Sequence, residues 1–274
     1  MASLSIVLTG STQGLGVGYA REFLRRGHNV AICGRQRAGV DAAVAKLRGD
    51  CAQQARVIGA VCDTRDRAQV QALWDVAARE FGRVDIWINN AGYARTGISF
   101  LDTRPEEIDA MVETNVIGTA AACDVAMAGM KRQGSGRIYL TLGGGAKGRV
   151  VPNMTVYSTT KRALHYLAKS LVKEAKTEAP QVLIGTVSPG VNVTDGMLRE
   201  IAEVPPERRA KMLKPLNFIG DHVETTAPWI VERMLADTGQ GSDITWLTTG
   251  RLLRRGVGMM FKKRDILSRY GLHV

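Results

Sequence analysis

Leu4-Ser-Ile-Val-Leu8-Thr9-Gly10-Ser11-Thr-Gln-Gly14-Leu15-Gly16 is the stretch that decides the fold of this chain. An apolar run of strand length passes straight into three glycines, and a helical pattern starts at the last of them. Glycines at such a junction permit a tight turn and let the backbone approach a pyrophosphate lying at the N-terminus of the next helix. The spacing, Gly-x-x-x-Gly-x-Gly, is more open than the ordinary dinucleotide fingerprint. Directly after a first strand, it still predicts a nucleotide cradle built from Gly10, Ser11, Gly14, Leu15 and Gly16.

Outward from that stretch, short apolar runs alternate with longer helical patterns. Strands are predicted at 4–9, 30–34, 56–61, 84–89, 137–142, 182–187 and 243–247, and helices at 15–26, 37–48, 66–81, 104–132, 154–178 and 222–236. Central runs such as Val84-Asp-Ile-Trp-Ile88 are mostly apolar, as parallel strands covered on both faces are. The prediction is an α/β chain: one doubly wound, Rossmann-like parallel sheet over 1–247 with helices on both faces. A basic, helical C-terminal extension over 248–274 follows it. Ligands of such sheets lie beyond the carboxyl ends of the strands, so chemistry is expected in the loops that follow them.

Composition narrows the classes. The 274 residues with 45% hydrophobic content suit one sizeable core. No apolar run reaches the ~18 residues that span a bilayer, and the N-terminal run has no secretion signal to excise. Cys33, Cys51, Cys62 and Cys123 lack metal or disulfide spacing and read as reduced thiols of a cytoplasmic protein. His28, His165, His222 and His273 have no paired ligand spacing, so no metal is expected. The net charge of +11 favours acidic partners. No zinc spacing or aromatic-rich basic strand supports nucleic acid among them, and Trp74, Trp87, Trp229 and Trp246 read as core.

The strongest chemical signal is Tyr157-Ser-Thr-Thr-Lys161 on the fifth predicted helix. Residues four apart share a helix face. A free tyrosine titrates near pH ~10, and an adjacent ammonium is expected to lower that and make Tyr157 a usable proton donor. At the end of strand two, Gly34-Arg35-Gln-Arg37 stands where an acidic residue would bind the ribose hydroxyls of NAD. There is no Asp or Glu between Glu22 and Asp41. Arg35 is therefore expected to hold the 2′-phosphate of NADPH, with Arg37 and Ser11 as helpers, against plain solvation of both arginines. Asp63, closing strand three, can accept from an adenine amine. Asn89, Ala91 and Gly92, closing strand four, suit packing against the cofactor. Asn115, a poor residue mid-helix, suggests a buried hydrogen-bonding role. Pro189, Gly190 and the Thr194 hydroxyl follow strand six and could face a carboxamide.

In this order, Thr9-Gly10-x-x-x-Gly14-x-Gly16, Asp63, Asn89-Asn90-Ala91-Gly92, Asn115, Tyr157-x-x-x-Lys161 and Pro189-Gly190 resemble the short-chain dehydrogenase/reductases over residues 4–247. The resemblance implies hydride transfer between a nicotinamide and a carbonyl. Tyr157 would protonate the oxygen, Lys161 would lower its pKa and bind the nicotinamide ribose, and Asn115 would anchor a water relaying protons to Lys161. It also implies a substrate lid over 195–218 and a homodimer or homotetramer formed through the two long helices, with Ala121, Ala122, Ala126, Leu167 and Leu171 on their outer faces.

One departure stands out. Where that family carries a substrate-binding serine, this chain reads Thr141-Leu-Gly143-Gly144-Gly145, and the match falls on Gly143 or Gly144. Loss of such a donor typically costs ~10²–10³ in rate. Asn192 or Thr141 could substitute, or the substrate could need less help, as a conjugated aldehyde would. The triglycine, Ser188-Pro189-Gly190 and the tail motifs Trp246-Leu-Thr-Thr249 and Leu252-Leu-Arg-Arg-Gly256 resemble the chlorophyll b reductase branch, which reduces a pigment formyl group with NADPH. The alternatives are a reductase of another apolar aldehyde or ketone, and a weakly active NADP-binding regulator.

Lid residues Met197, Leu198, Ile201, Met212, Leu213, Leu216 and Phe218 would suit a large apolar ring or pack down on the body. Residues 251–274 carry seven basic side chains and one acidic. There Leu252, Leu253, Val257, Met260, Phe261, Ile266 and Leu267 interleave with Arg251, Arg254, Arg255, Lys262, Lys263, Arg264 and Arg269. Peripheral membrane contact through 251–270 and packing against a neighbouring subunit are both open readings, with Gly256 and Gly258 expected to interrupt any helix.

Overall fold

The computed structural model describes residues 2–52, 54–204, 206–261 and 264–272. Alternation along the first strand shows how the sheet is covered. In β1 (Ser5–Leu8), Ile6 and Leu8 enter one apolar core and Val7 the other, the period-two division of a strand buried on both faces. After β1 come α1 (Gly14–Arg25), β2 (Asn29–Gly34), α2 (Arg37–Arg48), β3 (Val57–Val61), α3 (Arg67–Phe81) and β4 (Ile86–Asn89). The chain continues through α4 (Pro105–Val112), α5 (Gly118–Gln133), β5 (Gly136–Thr141), α6 (Thr155–Glu178) and β6 (Val182–Ser188). Then follow β7 (Val191–Val193), α7 (Asp195–Ala202), α8 (Pro206–Leu213), α9 (Leu216–Ile219), β8 (Gly220–His222), α10 (Val223–Ala236), β9 (Asp243–Thr245) and α11 (Thr249–Phe261).

Seven strands form one parallel sheet in the order β3-β2-β1-β4-β5-β6-β9. This is the Rossmann-like arrangement expected from the alternating pattern. One core lies under α1, α2 and α10, with Tyr19, Phe23, Leu24, Val40, Leu47 and Ile230 at its centre. The other lies under α3, α5 and α6, where Trp74 stacks on Trp87 at 6.0 Å. A methyl on Gly129 would lie 2.1 Å from the Trp74 ring, so glycine there is what lets α5 close on α3. The order of strands reverses between β1 and β4, and the loops after those two strands meet at the carboxyl end of the sheet.

Three expectations are corrected, and one element is new. The helix predicted over 104–132 is two helices joined by a π turn, Glu113–Ile117; periodicity does not resolve one inserted residue. Ala122 and Ala126 are buried in the sheet core rather than on an outer face, because small side chains let α5 approach the strands. A two-stranded parallel sheet, β7 with β8, was not predicted, and its strands are three residues each. Finally, α11 runs unbroken through Gly256 and Gly258. Each glycine costs ~1 kcal/mol there, in a helix whose Arg251 and Arg255 dock on Trp246 and Asp221.

The segment 195–218 packs down: Ile201, Leu213 and Leu216 are buried with Val193, and the tail residues Ile266 and Leu267 join the same cluster. The remaining tail residues expected to contribute charge, Lys262 and Lys263, and the discounted His273, lie outside the described residues.

Candidate active site

The glycine turn is tight because its neighbours leave no room for side chains. Gly10 and Gly14 both take φ +58°, a region that favours glycine. A methyl on Gly10 would lie 2.6 Å from Ala91 Cα, and one on Gly16 would lie 2.5 Å from the Gly10 carbonyl oxygen. Thr9 Oγ1 accepts from the amides of Asn90 and Ala91, both at 3.0 Å, while Asn90 Nδ2 donates to the Thr9 and Gly10 carbonyls at 3.2 and 2.9 Å. No side chain caps α1, whose first amides therefore face the turn unpartnered by a cap. The turn fits a pyrophosphate: positive helix end, free amides and a close backbone.

Several predicted cofactor contacts are engaged elsewhere. The Ser11 hydroxyl is buried, donates to Leu8 O at 2.6 Å and accepts from the Cys33 amide at 3.0 Å, so it joins β1 to β2 and does not help Arg35. Asn89 accepts from Trp87 Nε1 and donates to Cys123 Sγ, deep in the core; its neighbour Asn90 is the residue that braces the turn. Strand alternation decides this, since it sends only one of the two asparagines upward. Asp63 binds Arg65 through both oxygens, and Arg65 reaches on to Glu113. The Arg65 hydrogen bond holds the Asp63 carboxyl below its ordinary range. Arg35 is exposed, with no ion pair among the described residues, and Arg37 lies 3.9 Å from Asp41.

Tyr157 and Lys161 do share one face of α6. Lys161 Nζ donates to the Thr141 carbonyl at the end of β5, at 3.0 Å, and lies 5.7 Å from the centre of the Tyr157 ring. The expected lowering of the tyrosine pKa does not hold in this structure. Burial pushes Tyr157 up to about 12, and the Glu200 carboxylate adds to the rise. Burial also brings Lys161 down to about 8, which weakens the charge that was to favour a phenolate. Tyr157 is thus a phenol at neutral pH, the form that donates a proton.

Asn115 sits in the π turn, where Oδ1 accepts from the Tyr93 amide at 2.8 Å and Nδ2 donates to Tyr93 O and Thr160 Oγ1 at 2.9 and 3.0 Å. Its side chain fastens the loop after β4 to α6 at Thr160, the residue next to Lys161, with both of its amide N–H groups engaged. Thr194 caps α7, accepting from the Met197 amide at 3.3 Å, and its side chain backs Gly14. Gly190, after Pro189, turns with φ +74°.

The position opposite Tyr157 is Gly143, not Gly144. A methyl on Gly143 would lie 2.3 Å from Tyr157 Oη, whereas one on Gly144 would meet Met154. Of the two proposed substitutes for the serine, Asn192 is closed off. It donates to Pro189 O at 2.9 Å and accepts from Thr226 Oγ1 at 2.6 Å. The Thr141 hydroxyl is buried without a partner, as is that of Ser158 beside Gly145. The site residue that sequence reasoning missed is Glu200 on α7. It accepts from the Thr96 amide, and burial raises its pKa. Nothing in an amphipathic eight-residue helix marks one glutamate as inward-facing.

Comparisons with known proteins fit this geometry. The profile of the short chain dehydrogenase family matches residues 5–204. Chlorophyll(ide) b reductase NOL, chloroplastic, of Oryza sativa subsp. japonica is 33% identical over 247 residues, 89% of this chain and 70% of the relative. Probable chlorophyll(ide) b reductase NYC1, chloroplastic, of Arabidopsis thaliana is 33% identical over 91% of this chain, which spans about half (51%) of that relative's length. Among solved structures, a variant of actinorhodin polyketide ketoreductase with NADPH superposes with a TM-score of 0.75 at 25% identity, covering 89% of this chain and 95% of that one. On profile, relatives, fold and site geometry together, the chain belongs to the short-chain dehydrogenase family and is an enzyme of the oxidoreductase class.

Proposed function

We propose that this enzyme reduces a carbonyl with NADPH, and that its substrate is the formyl group of chlorophyll b or a related tetrapyrrole. The observation that carries the reading is a phenolic Tyr157 facing Gly143, which offers no side chain, in a chain 33% identical to a chlorophyll(ide) b reductase and to a probable one. The nicotinamide, when bound, supplies a hydride to the carbonyl carbon. Tyr157 Oη donates its proton to the carbonyl oxygen, so a formyl group becomes a hydroxymethyl group. Lys161, protonated below about pH 8, sits behind Tyr157 and stabilises the phenolate left behind. The amides of Gly14, Leu15 and Gly16 would hold the pyrophosphate, and Arg35 a 2′-phosphate. A formyl group conjugated to a macrocycle depends less on a second hydrogen-bond donor than an isolated ketone does, which suits a site lacking the serine.

The test mixes purified protein, NADPH and detergent-dispersed chlorophyll b and separates the pigments by chromatography. We expect a hydroxymethyl product that falls ~10²–10⁴-fold in Tyr157→Phe. In Arg35→Gln the KM for NADPH should rise ~10–100-fold while that for NADH stays level. Turnover unchanged in Tyr157→Phe would sink the mechanism. Bound NADPH with no pigment product, but with turnover of another apolar aldehyde or ketone, would replace the substrate. NADPH binding without turnover of any carbonyl would favour a regulator.

A further inference from the structure

The tail helix is docked the opposite way round from an ordinary surface helix. In α11, Leu253, Val257, Met260 and Phe261 are 67%, 54%, 75% and 85% exposed. Their spacing, i, i+4, i+7 and i+8, is one continuous stripe. Two of the helix's three arginines, Arg251 and Arg255, meanwhile turn inward. The Arg251 guanidinium lies 3.5 Å above the centre of the Trp246 ring. Arg255 pairs with the buried Asp221 and donates to Phe218 O at 3.2 Å. Just beyond the helix, Arg264 reaches Asp221 Oδ1 at 3.0 Å and Phe218 O at 2.9 Å. Asp221 is completed by Trp246 Nε1 at 2.6 Å. The outward-facing apolar stripe is therefore held in place by buried ion pairs; it is not a helix waiting to roll over.

From this we infer that the Leu253–Phe261 stripe inserts into the headgroup region of an anionic lipid surface, holding the enzyme on a membrane without spanning it. No helix among the described residues is long and apolar enough to cross a bilayer, whereas a short amphipathic stripe suits interfacial binding. Charge selects the lipid: Arg254 is exposed within the stripe, and Lys262 and Lys263 follow Phe261 directly in sequence. A polybasic flank is attracted by anionic headgroups. A second copy of the chain fits less well. Four side chains offer less than the roughly 800 Å² per partner that a specific interface covers. This inference stands on the tail alone and does not depend on the carbonyl reading.

The experiment is co-sedimentation of the full chain with phosphatidylglycerol/phosphatidylcholine vesicles and with phosphatidylcholine vesicles alone. Wild type is expected to bind the anionic vesicles. Phe261→Ser should lower partitioning roughly tenfold, and combined Leu253→Ser, Val257→Ser, Met260→Ser and Phe261→Ser more than roughly a hundredfold. Arg254→Glu should weaken binding to anionic vesicles at least roughly fivefold and leave phosphatidylcholine binding level. An unchanged melting transition shows that the variants are folded, since the substituted side chains are exposed. Absence of binding to anionic vesicles, or binding indifferent to the stripe, would overturn the inference. So would a stripe-dependent dimer in sedimentation equilibrium without vesicle binding, which would assign the face to a second copy.

Discussion

The glycine turn and the C-terminal tail are both held by buried polar groups whose partners lie tens of residues away along the chain, but with opposite consequences for the side chains around them. In the turn, the residues that need partners find them in the neighbouring strand ends: Thr9 with Asn90 and Ala91, Ser11 with Cys33. The tail is held by a carboxylate on β8, more than thirty residues upstream. Asp221 collects Arg255, Arg264 and Trp246, and the result inverts the helix above it. The turn keeps the orientation its local pattern predicts. In α11, by contrast, Arg251 and Arg255 lie inside while Leu253, Val257, Met260 and Phe261 lie outside, because one buried carboxylate outweighs the tendency of a stripe to face inward. A buried charge must be paired, since an unpaired one costs several kcal/mol.

Asp221→Ala is the substitution that most directly breaks this contrast. Two arginines and an indole N–H lose their acceptor, and we expect a loss of about 3–5 kcal/mol in urea unfolding. Proteolysis should attack 249–272 first, while nucleotide binding at the glycine turn survives in the folded fraction. Equal loss at both ends would show that tail and turn are one cooperative unit.

Lys161 sharpens the turn side of the comparison, because burial acts there without a carboxylate in compensation. Its folded pKa is about 8 against an ordinary 10.5. Between those values the unfolded chain holds a proton that the folded chain has released, so stability rises as pH is raised from about 8 to 10.5. The change should be on the order of 3 kcal/mol. Melting curves of Lys161→Met across that window should be flat by comparison; a matching slope would place the titration on another group.

Gly143→Ser is the smallest of the three. It restores the missing hydroxyl on paper. Because a Cβ there would lie 2.3 Å from Tyr157 Oη, the tyrosine must move instead. We expect kcat to fall about tenfold to a hundredfold, with KM for NADPH unchanged. A rise in kcat would show that Tyr157 gives way without loss.

Legibility in the sequence followed the range of the interactions. The strands and most helices were readable, since burial on both faces writes continuous apolar runs and helices write a 3.6 period. Tyr157, Lys161 and Gly10 were readable from spacing. The roles of Ser11, Asn89 and Asn192 were not. Each was a polar residue at a plausible strand end, and only the direction of its side chain separates a ligand contact from an internal brace. The π turn at Glu113–Ile117 escaped notice because one extra residue in a turn leaves the apolar period almost intact.

By itself, then, the sequence determined the sheet, the position of the glycine turn at its carboxyl end and the Tyr157–Lys161 pair, all consequences of local spacing and side-chain volume. Tertiary structure alone decided which hydroxyls and amides remained free and that Gly143 faces Tyr157. It also set the phenol above its ordinary pKa and turned the tail helix apolar side out. These depend on burial and on partners distant in sequence, and desolvation has no periodicity to read.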